Sequence, residues 1–345
     1  MMYFLVALVA FILSMLATVI IRAIAVRFDI TDKPLVERKI HKRPIPLWGG
    51  VAIYVGVWVS VILYILYAPL SWPQIIGTHV AGQDIILIAG AGMLLVIGGM
   101  LDDVFDLKPW QQIFFPMIAA CVIVKGGIGI DQISIPFGGT FFLGAWSDLL
   151  TFAWLMVVMY TTKFLDGLDG LVSGMTIINA VIITLLSLFF FVNFPTALLA
   201  VIVAGAYAGF LVFNFHPASI FLGEGGSLLA GFFLGILAIV SGAKLATTML
   251  ILGIPILDAV WVIIRRMILE RRSPFKADRK HIHFRLLDAG LSQRMAVLVL
   301  YAFASIFGIS ALFLQSTQKL IGFGILVLIM ILLGWFALHR ERQSV

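Results

Sequence analysis

Long runs of apolar residues constrain this chain more than any other feature of its sequence. The runs at 3–25, 47–68, 196–215 and 321–338 each hold about 20 residues, the length that an α-helix needs to cross a hydrocarbon layer roughly 30 Å thick. Of the 345 residues, 62% are hydrophobic and only 12% are charged, and the mean hydropathy is +1.13. Such a composition excludes a soluble domain of this size, so the chain is predicted to lie in a membrane.

Eleven apolar segments follow one another along the chain, each ended by glycine, proline or charge. They are approximately 3–26, 47–68, 84–101, 111–128, 147–163, 171–192, 196–215, 226–242, 246–265, 295–314 and 320–338. We therefore predict an all-α, polytopic membrane protein with about eleven transmembrane helices, forming a single domain over residues 1–345. Alternating apolar residues near 133–137 predict a short hairpin in one connection.

The basic residues are distributed unevenly among the connections. Counted from the first, the odd-numbered connections hold nearly all of the 23 lysines and arginines, and only Lys125, Lys244 and Lys319 fall elsewhere. The positive-inside rule places such connections in the cytoplasm. We therefore predict an N-terminus outside and a C-terminus in the cytoplasm. The predicted cytoplasmic loops are about 27–46, 102–110, 164–170, 214–225 and 266–294.

The third segment ends in a cluster of acids at this cytoplasmic boundary. Its sequence is GGMLDDVFDLKPW, with Asp102, Asp103 and Asp106 within five residues. Carboxylates so close repel one another unless cations neutralise them, and Mg²⁺ is commonly held by one or two carboxylates together with substrate phosphates. The alternative is a solvated acidic turn at the end of a helix.

A second pair of acids ends the fifth segment. In TTKFLDGLDGLVSG, Asp166 and Asp169 are each followed by glycine, which lets the backbone approach a ligand or unwind the helix end. Carboxylates near lipid are costly and usually functional. An ordinary Asp-Gly turn between two helices is the other interpretation.

The connection after the seventh segment reads NFHPASIFLGEGGSLLAG and contains Asn214, His216 and Glu224. A glycine-rich helix start offers free N–H groups to a phosphate, and Glu224 is a candidate metal ligand. Glycine-rich helix starts are common, so the pattern is informative mainly because it lies on the same side as the other acids.

The ninth segment contains Asp258 and is followed by ERRSPFKADRKHIHFRLLDAGLS, where His281 and His283 lie among arginines and lysines. Basic groups and imidazoles suit a substrate with a diphosphate, although a basic loop beside a membrane can also serve only to contact anionic lipids. The first cytoplasmic loop, with His41, Lys42 and Arg43, leaves the same two interpretations open. Together the four motifs predict a metal and phosphate site at the cytoplasmic boundary, where a soluble nucleotide donor can meet a lipid-embedded acceptor.

At these motifs the chain resembles the polyprenyl-phosphate N-acetylhexosamine-1-phosphate transferases of glycosyltransferase family 4. The resemblance covers about residues 32–292 and rests on PLWGG, LDDVFDL, FLDGLDGLVSG, NFHPASIFLGEGGS, IPILDAVWVIIRR and SPFKADRKHIHFRLL. The segment around His281 is more similar to the branch that transfers N-acetylglucosamine 1-phosphate than to the pentapeptide branch, which has three consecutive histidines there.

The resemblance implies a function. It implies transfer of a sugar 1-phosphate, most simply that of N-acetylglucosamine, from a UDP-sugar to undecaprenyl or another polyprenyl phosphate, with release of UMP, at the start of cell-wall or surface polysaccharide synthesis. It further implies Mg²⁺ as cofactor, with Mn²⁺ as the alternative, and a multi-pass protein of the bacterial inner membrane with a cytoplasmic active site. The partners expected are the donor, the lipid acceptor, membrane lipids and, as one form of assembly, a second copy of the chain, but no nucleic acid.

The resemblance also implies roles for individual residues. The expected catalytic residues are Asp102, Asp103, Asp166, Asp169 and His283. The expected metal ligands are Glu224, Asp102, Asp103 and Asp166. The expected substrate-binding residues are Lys42, Lys163, Asn214, Arg279, His281 and Arg285.

Four positions depart from the usual pattern of that family. Lys163 replaces an asparagine, Glu224 an aspartate, Phe284 a histidine and Gln112 a lysine. Glu224 retains the charge of a metal ligand. Our hypothesis is that Lys163 replaces a cation lost at Gln112 or at Phe284.

Three other functions compete with this interpretation. Asp102, Asp103 and Asp106 also form a DDxxD pattern, which indicates a Mg²⁺-dependent membrane prenyltransferase but leaves the GEGGS and HIH motifs unexplained. Intramembrane acids such as Asp258 are typical of an ion-coupled secondary transporter, although here the acids cluster at one face. The third alternative is a scaffold that has lost its activity.

Overall fold

The structure is a computed structural model in which residues 1–33, 43–69, 82–134, 139–190, 192–242, 245–269, 271, 281–314 and 317–328 are described. The longer helices are α1 (Met2–Arg27), α2 (Gly49–Tyr67), α3 (Gly82–Phe105), α5 (Phe114–Lys125), α6 (Ser147–Leu165), α7 (Leu171–Phe189), α8 (Phe194–Asn214), α9 (Gly223–Val240), α11 (Gly253–Ile264) and α13 (Gln293–Phe313). The shorter ones are α4 (Pro109–Gln112), α10 (Leu245–Ile251) and α12 (Ile282–Asp288), and a further helix, α14, covers Thr317–Leu328.

Within the described residues, eight helices are long and apolar enough to cross a membrane, and nine if the bent pair α10–α11 is counted as one span. The two parts of that pair meet at 76°. Two other predicted segments correspond to shorter apolar helices, Pro109–Lys125 and Thr317–Leu328. The chain is therefore an all-α polytopic membrane protein, as expected, whereas the count of eleven spans and the orientation of the termini stay predictions.

Little of the described chain is extended. Strands β1 (Thr31–Asp32) and β2 (Ile45–Pro46) pair antiparallel before α2. Strands β3 (Gln132–Ser134) and β4 (Thr140–Phe142) form an antiparallel hairpin in which Gln132 lies opposite Phe142. This hairpin confirms the one predicted near 133–137, although its tip at 135–138 lies outside the described residues.

Helix α9 forms the centre of the bundle. All but two of its eighteen residues are buried, and it packs against α2, α3, α6 and α7. Close packing depends on glycine, because a Cβ atom at Gly99 of α3 would overlap the backbone of Gly225, and one at Gly50 of α2 would meet that of Gly226. The motifs at the start of α2, the end of α3 and the start of α9 are thereby brought into direct contact.

Local signals in the sequence explain where several helices begin. The Asn193 side chain accepts a hydrogen bond from the Thr196 amide at 3.2 Å, and Pro195 occupies the first turn of α8, where its missing N–H costs nothing. Ser292 caps α13 in the same way through the Met295 amide at 3.3 Å. Asn193 also donates to the Val240 carbonyl at 3.0 Å, which joins the start of α8 to the end of α9.

Candidate active site

Asp103 lies at the end of α3 and caps the start of α9. Its Oδ1 accepts a hydrogen bond from the Glu224 amide at 3.2 Å, and its Oδ2 lies so close to Gly223 that a Cβ atom there would collide with it. Gly223 has φ +72°, a left-handed conformation that favours glycine. A carboxylate at this position is stabilised by the free amides and the dipole of α9.

Asp102, the preceding residue, is buried and holds the connection from α3 to α4. Its Oδ1 accepts hydrogen bonds from the Leu107 amide at 2.9 Å and from Nε2 of Gln112 at 3.0 Å. The same Gln112 nitrogen donates to the Leu107 carbonyl at 3.0 Å. Gln112 is therefore a member of the acidic site, although the residue type alone does not indicate it.

Lys163, near the end of α6, links these acids to Glu224. Its Nζ lies 2.8 Å from Oε2 of Glu224 and donates to Oε1 of Gln112 at 3.0 Å. Polar contacts thus run without a break from Glu224 through Lys163 and Gln112 to Asp102. Three of the four departures from the family pattern meet here, and Lys163 contacts Gln112 directly, but the hypothesis that it replaces a lost cation stays a prediction.

The loop between α6 and α7 carries the other two acids. It begins at Asp166, directly after α6, and ends at Gly170, whose φ of +79° starts α7. Asp166 is an exposed residue. The surrounding protein nevertheless desolvates its carboxyl group and raises its pKa to about 8, and the charges of Glu224 and Asp169 add to this shift. Within the described residues no hydrogen bond of the Asp166 side chain is found.

Asp169 binds the connection between α8 and α9. Its Oδ2 lies 2.7 Å from Nδ1 of His216 and accepts a hydrogen bond from the Ala218 amide at 3.0 Å. Arg294, at the start of α13, donates through Nε to the His216 carbonyl at 2.9 Å. Asp169 therefore joins the loop between α6 and α7 to the connection between α8 and α9.

Asn214 also braces this connection from within. Its Oδ1 accepts a hydrogen bond from the Ser173 hydroxyl at 2.9 Å, and its Nδ2 donates to the Ile220 carbonyl at 3.0 Å. The side chain is buried, and both ends of its amide bond to protein groups.

The two histidines come from the start of α12. The Nδ1 of His281 lies 2.7 Å from Oδ2 of Asp258, and the Ile282 amide donates to Oδ1 of the same carboxylate at 3.0 Å. Asp258 and His281 are both buried. Because an ionised carboxylate only accepts hydrogen bonds, the proton of this contact belongs to Nδ1 of His281.

His283 is 1% exposed and stacks in parallel on His281, with ring centroids 5.6 Å apart. It presses against Gly167, between the two loop aspartates, so that a Cβ atom there would collide with Nε2. Neither of its ring nitrogens has a hydrogen-bond partner in the part of the chain that is described. Burial, and secondarily the charge of His281, lowers the pKa of His283 to about 3, so this imidazole is neutral at physiological pH.

Three other residues were expected to bind substrate, and only one of them lies in the described part of the chain. Arg285 lies on α12 and is partly buried. Lys42 and Arg279 lie outside the described residues, so their predicted roles stay predictions.

The fit of the site to a metal ion follows from the carboxylates. Asp102, Asp103, Asp166 and Glu224 are near enough for their charges to interact. No group of three or more His, Cys, Asp or Glu side chains in the described ranges is close enough to hold a metal by itself. Mg²⁺ on a nucleotide commonly takes one or two carboxylates and completes its shell with phosphate oxygens and water, and the residues present fit that type of site.

The position of Asp258 was visible in the sequence as an acid within an apolar segment, but its pairing with His281 was not. Gln112 was noted in the sequence only as a departure from the family pattern and His216 only as part of a motif, so the contacts that they make were not predicted. These contacts connect residues 23, 47 and 51 positions apart, and only the packing of the helices brings them together.

Comparison with known proteins gives consistent matches. The family model described as glycosyl transferase family 4 matches residues 85–242. The chain is 35% identical over 320 residues, which is 89% of the chain and 85% of the relative, to a protein of Bacillus subtilis (strain 168) named probable undecaprenyl-phosphate N-acetylglucosaminyl 1-phosphate transferase. It is 32% identical to the decaprenyl-phosphate N-acetylglucosaminephosphotransferase of Mycolicibacterium smegmatis, over 98% of the chain and 89% of that protein. The phospho-N-acetylmuramoyl-pentapeptide-transferase of Moorella thermoacetica is 30% identical over 80% of the chain and 86% of its own length.

Proposed function

The chain belongs to glycosyl transferase family 4, and on that premise we propose that it transfers N-acetylglucosamine 1-phosphate from UDP-N-acetylglucosamine to a polyprenyl phosphate, releasing UMP. The two relatives named for N-acetylglucosamine phosphate transfer are more similar to the chain than the pentapeptide transferase is. The product is a polyprenyl-diphosphate sugar, which initiates the synthesis of a cell-wall or surface polysaccharide.

The observation that carries this proposal is the convergence of the four motifs. Glu224 contacts both Asp103 and Lys163, and Gly167 contacts His283. Acids that neutralise a metal, a lysine and imidazoles are the groups that a diphosphate needs. Because the acids lie at one end of the bundle, the arrangement supports a transferase rather than a transporter, in which ionisable groups lie near the midplane.

We propose Mg²⁺ as the cofactor, with Mn²⁺ as the alternative, held by Glu224 and one or more of Asp102, Asp103 and Asp166. When bound, the metal would offset the negative charge of the diphosphate. Asp102 or Asp103 accepts any proton that remains on the acceptor phosphate. The phosphate oxygens are bound by five basic side chains, those of Lys42, Lys163, Arg279, His281 and Arg285.

The transfer itself exchanges one phosphorus–oxygen bond for another. An oxygen of the lipid phosphate attacks the phosphorus attached to the sugar, the bond from that phosphorus to UMP breaks, and UMP carries away the electron pair. A single-step transfer and a two-step transfer through an aspartyl-phosphate both give this same overall change in bonds. Neutral His283 beside the Asp166–Asp169 loop supplies a hydrogen bond, whereas Asp169 and Asn214 hold the surrounding loops in position.

The location of the reaction follows from the charge distribution along the chain. We propose the bacterial inner membrane, with the site on the cytoplasmic side, the N-terminus outside and the C-terminus inside. A homodimer is the assembly to be tested first, by measuring the mass of the purified protein in detergent.

The deciding experiment is a reconstituted assay. Purified protein is mixed with UDP-N-acetylglucosamine, undecaprenyl phosphate and Mg²⁺, and both UMP and a lipid-linked sugar are measured. We expect both products, and we expect Asp102→Asn to abolish them while Asp148→Asn, which changes an exposed acid at the other end of α6, has no effect. Absence of UMP with every UDP-N-acetylhexosamine would refute the function, and activity that persists in Asp102→Asn would refute the assignment of the site. A prenyltransferase would form neither product in this mixture and would release diphosphate only when given a prenyl diphosphate, whereas a transporter or an inactive scaffold would form no product in either case.

A further inference from the structure

We propose that Lys163 is an internal counter-cation that competes with the divalent metal for Glu224. In the metal-free protein the ammonium group occupies this carboxylate, and metal binding displaces it toward the phosphate groups of the donor. The inference rests on the proposed function and deepens it, because it gives Lys163 a regulatory role: the lysine weakens metal binding until the UDP-sugar donor is present.

The ion pair is part of the interior architecture rather than a surface contact. Its two atoms are 2.8 Å apart, and the side chains of Lys163 and Glu224 are only 14% and 35% exposed. Lysine and glutamate come from α6 and from the first turn of α9, two helices that pack along their lengths. A partly buried ion pair between two such helices is screened less than an exposed pair.

The other acids of the site are already bonded in ways that a cation need not disturb. Asp103 caps α9 with one oxygen, and Asp102 uses Oδ1 for an amide and for Gln112. Asp166 is an exposed residue. Glu224, by contrast, forms an ion pair with Lys163, so a metal that binds Glu224 has to compete with the ammonium group.

The surroundings of Lys163 allow the displacement. An ammonium has three donors, and a second contact of Lys163, to Gln112 at 3.0 Å, does not involve Glu224. The ammonium also lies 5.9 Å from the centre of the Tyr160 ring, within the range of a cation–π attraction. When metal takes Glu224, the lysine keeps Gln112 and Tyr160 as neighbours and has donors available for a phosphate oxygen.

The test measures metal binding directly and needs no turnover. Purified full-length protein in detergent is titrated with Mn²⁺, without nucleotide, and free Mn²⁺ is followed by electron paramagnetic resonance. Because removing a positive charge beside the acids strengthens their attraction for a cation, we expect Lys163→Met to lower the Kd by about tenfold. Lys163→Arg keeps the charge and is expected to bind Mn²⁺ like the wild type.

Two controls isolate the effect. Lys125→Met makes the same chemical change at the opposite end of the bundle, beside Asp148, and is expected to leave the Kd unchanged. Adding Glu224→Gln to Lys163→Met is expected to remove the gain, since the released carboxylate is then missing. Thermal unfolding of each variant confirms that the proteins compared are folded.

The outcomes are separable from those of the reconstituted assay. A Kd that is unchanged or higher in folded Lys163→Met overturns the inference, as does a Lys163→Arg protein that binds as tightly as Lys163→Met, or a wild type and Lys163→Met that both bind no Mn²⁺. If Mn²⁺ binding tightens as expected but no UMP is formed by the wild type, the counter-cation is supported and the proposed function fails.

Discussion

The pairing of Asp258 with His281 leads to a prediction that depends on one proton. In Asp258→Asn, the amide oxygen can still accept the Ile282 N–H, but an NH₂ group then faces Nδ1 of His281, which now receives a proton donor in place of a carboxylate. With Asp258 in place, the imidazole can donate from Nδ1 to the carboxylate and from Nε2 to a phosphate oxygen at the same time; in the variant it loses the acceptor for Nδ1–H, and with it the orientation and the opposite charge that favour phosphate binding.

The size of the effect follows from the bond that is lost. The Asp258–His281 contact is 2.7 Å long and both side chains are buried, and a hydrogen bond to a charged group contributes about 1.5–3 kcal/mol. Each 1.36 kcal/mol of transition-state stabilisation corresponds to a tenfold change in rate. We therefore expect kcat/KM for UMP release to fall by about 10- to 150-fold.

The assay measures kcat and KM separately, together with the unfolding temperature in detergent. Since the Asn side chain preserves the shape and one of the two hydrogen bonds, the unfolding temperature should stay close to that of the wild type, and Asp148→Asn serves as an exposed control for the same chemical change. An unchanged kcat/KM in folded Asp258→Asn would show that the orientation of His281 by Asp258 has no part in the reaction.

Three further predictions concern the loop between α6 and α7. The pKa of Asp166 in the folded protein is about 8, above its ordinary value of 3.8, so this residue destabilises the fold increasingly as the pH rises between these values. Without divalent metal, Asp166→Asn should therefore raise the unfolding temperature at pH 8.5 and much less at pH 4. Equal shifts of the unfolding temperature at the two pH values would contradict this. His283→Phe replaces two ring nitrogens that lack hydrogen-bond partners among the described residues by an apolar ring of similar shape. The variant should therefore keep or raise the unfolding temperature but should release no UMP. Wild-type activity of this variant would exclude His283 from catalysis. Gly167→Ala places a methyl group against His283 and should lower the free energy of unfolding by about 1–3 kcal/mol, measured by thermal unfolding. Gly90→Ala is the control, because nothing lies within 4 Å of the added Cβ atom, and it should be neutral or stabilising. Equal effects of the two substitutions would refute the predicted overlap between residue 167 and His283.

Much of the fold could be predicted because lipid imposes a simple rule. A segment that enters hydrocarbon must satisfy its backbone internally and present apolar side chains. Within the described residues, the predicted segments therefore differ from the observed helices by only a few residues at their ends, while the end of the segment 320–338 lies outside those residues. The predicted span 246–265 is a bent pair of helices, α10–α11, in the structure. The angle between its parts depends on packing, which hydropathy does not describe.

The candidate site was predictable as a set of motifs and less so as a set of roles. Asp169 and Asn214 were expected to act on substrate; the structure adds that their hydrogen bonds join the loops around the site, and their roles toward substrate stay predictions. Lys163 was expected to compensate for a cation lost at Gln112 or Phe284, and the structure adds its direct contact with Gln112. The role of a polar side chain depends on its neighbours in space, and these come from distant parts of the chain.

The sequence by itself determined that this chain is a helical membrane protein, which end of the bundle carries its acids and which family it resembles, because hydropathy, charge and motif order are properties of the residues in their linear arrangement. Only the tertiary structure decided that Glu224 is held by Lys163, that Asp258 orients His281, and that His283 is buried beside Gly167. Each of these contacts joins different helices or loops, and its geometry depends on tertiary packing, as where α3 and α6 approach α9 so closely that only glycine fits between their backbones.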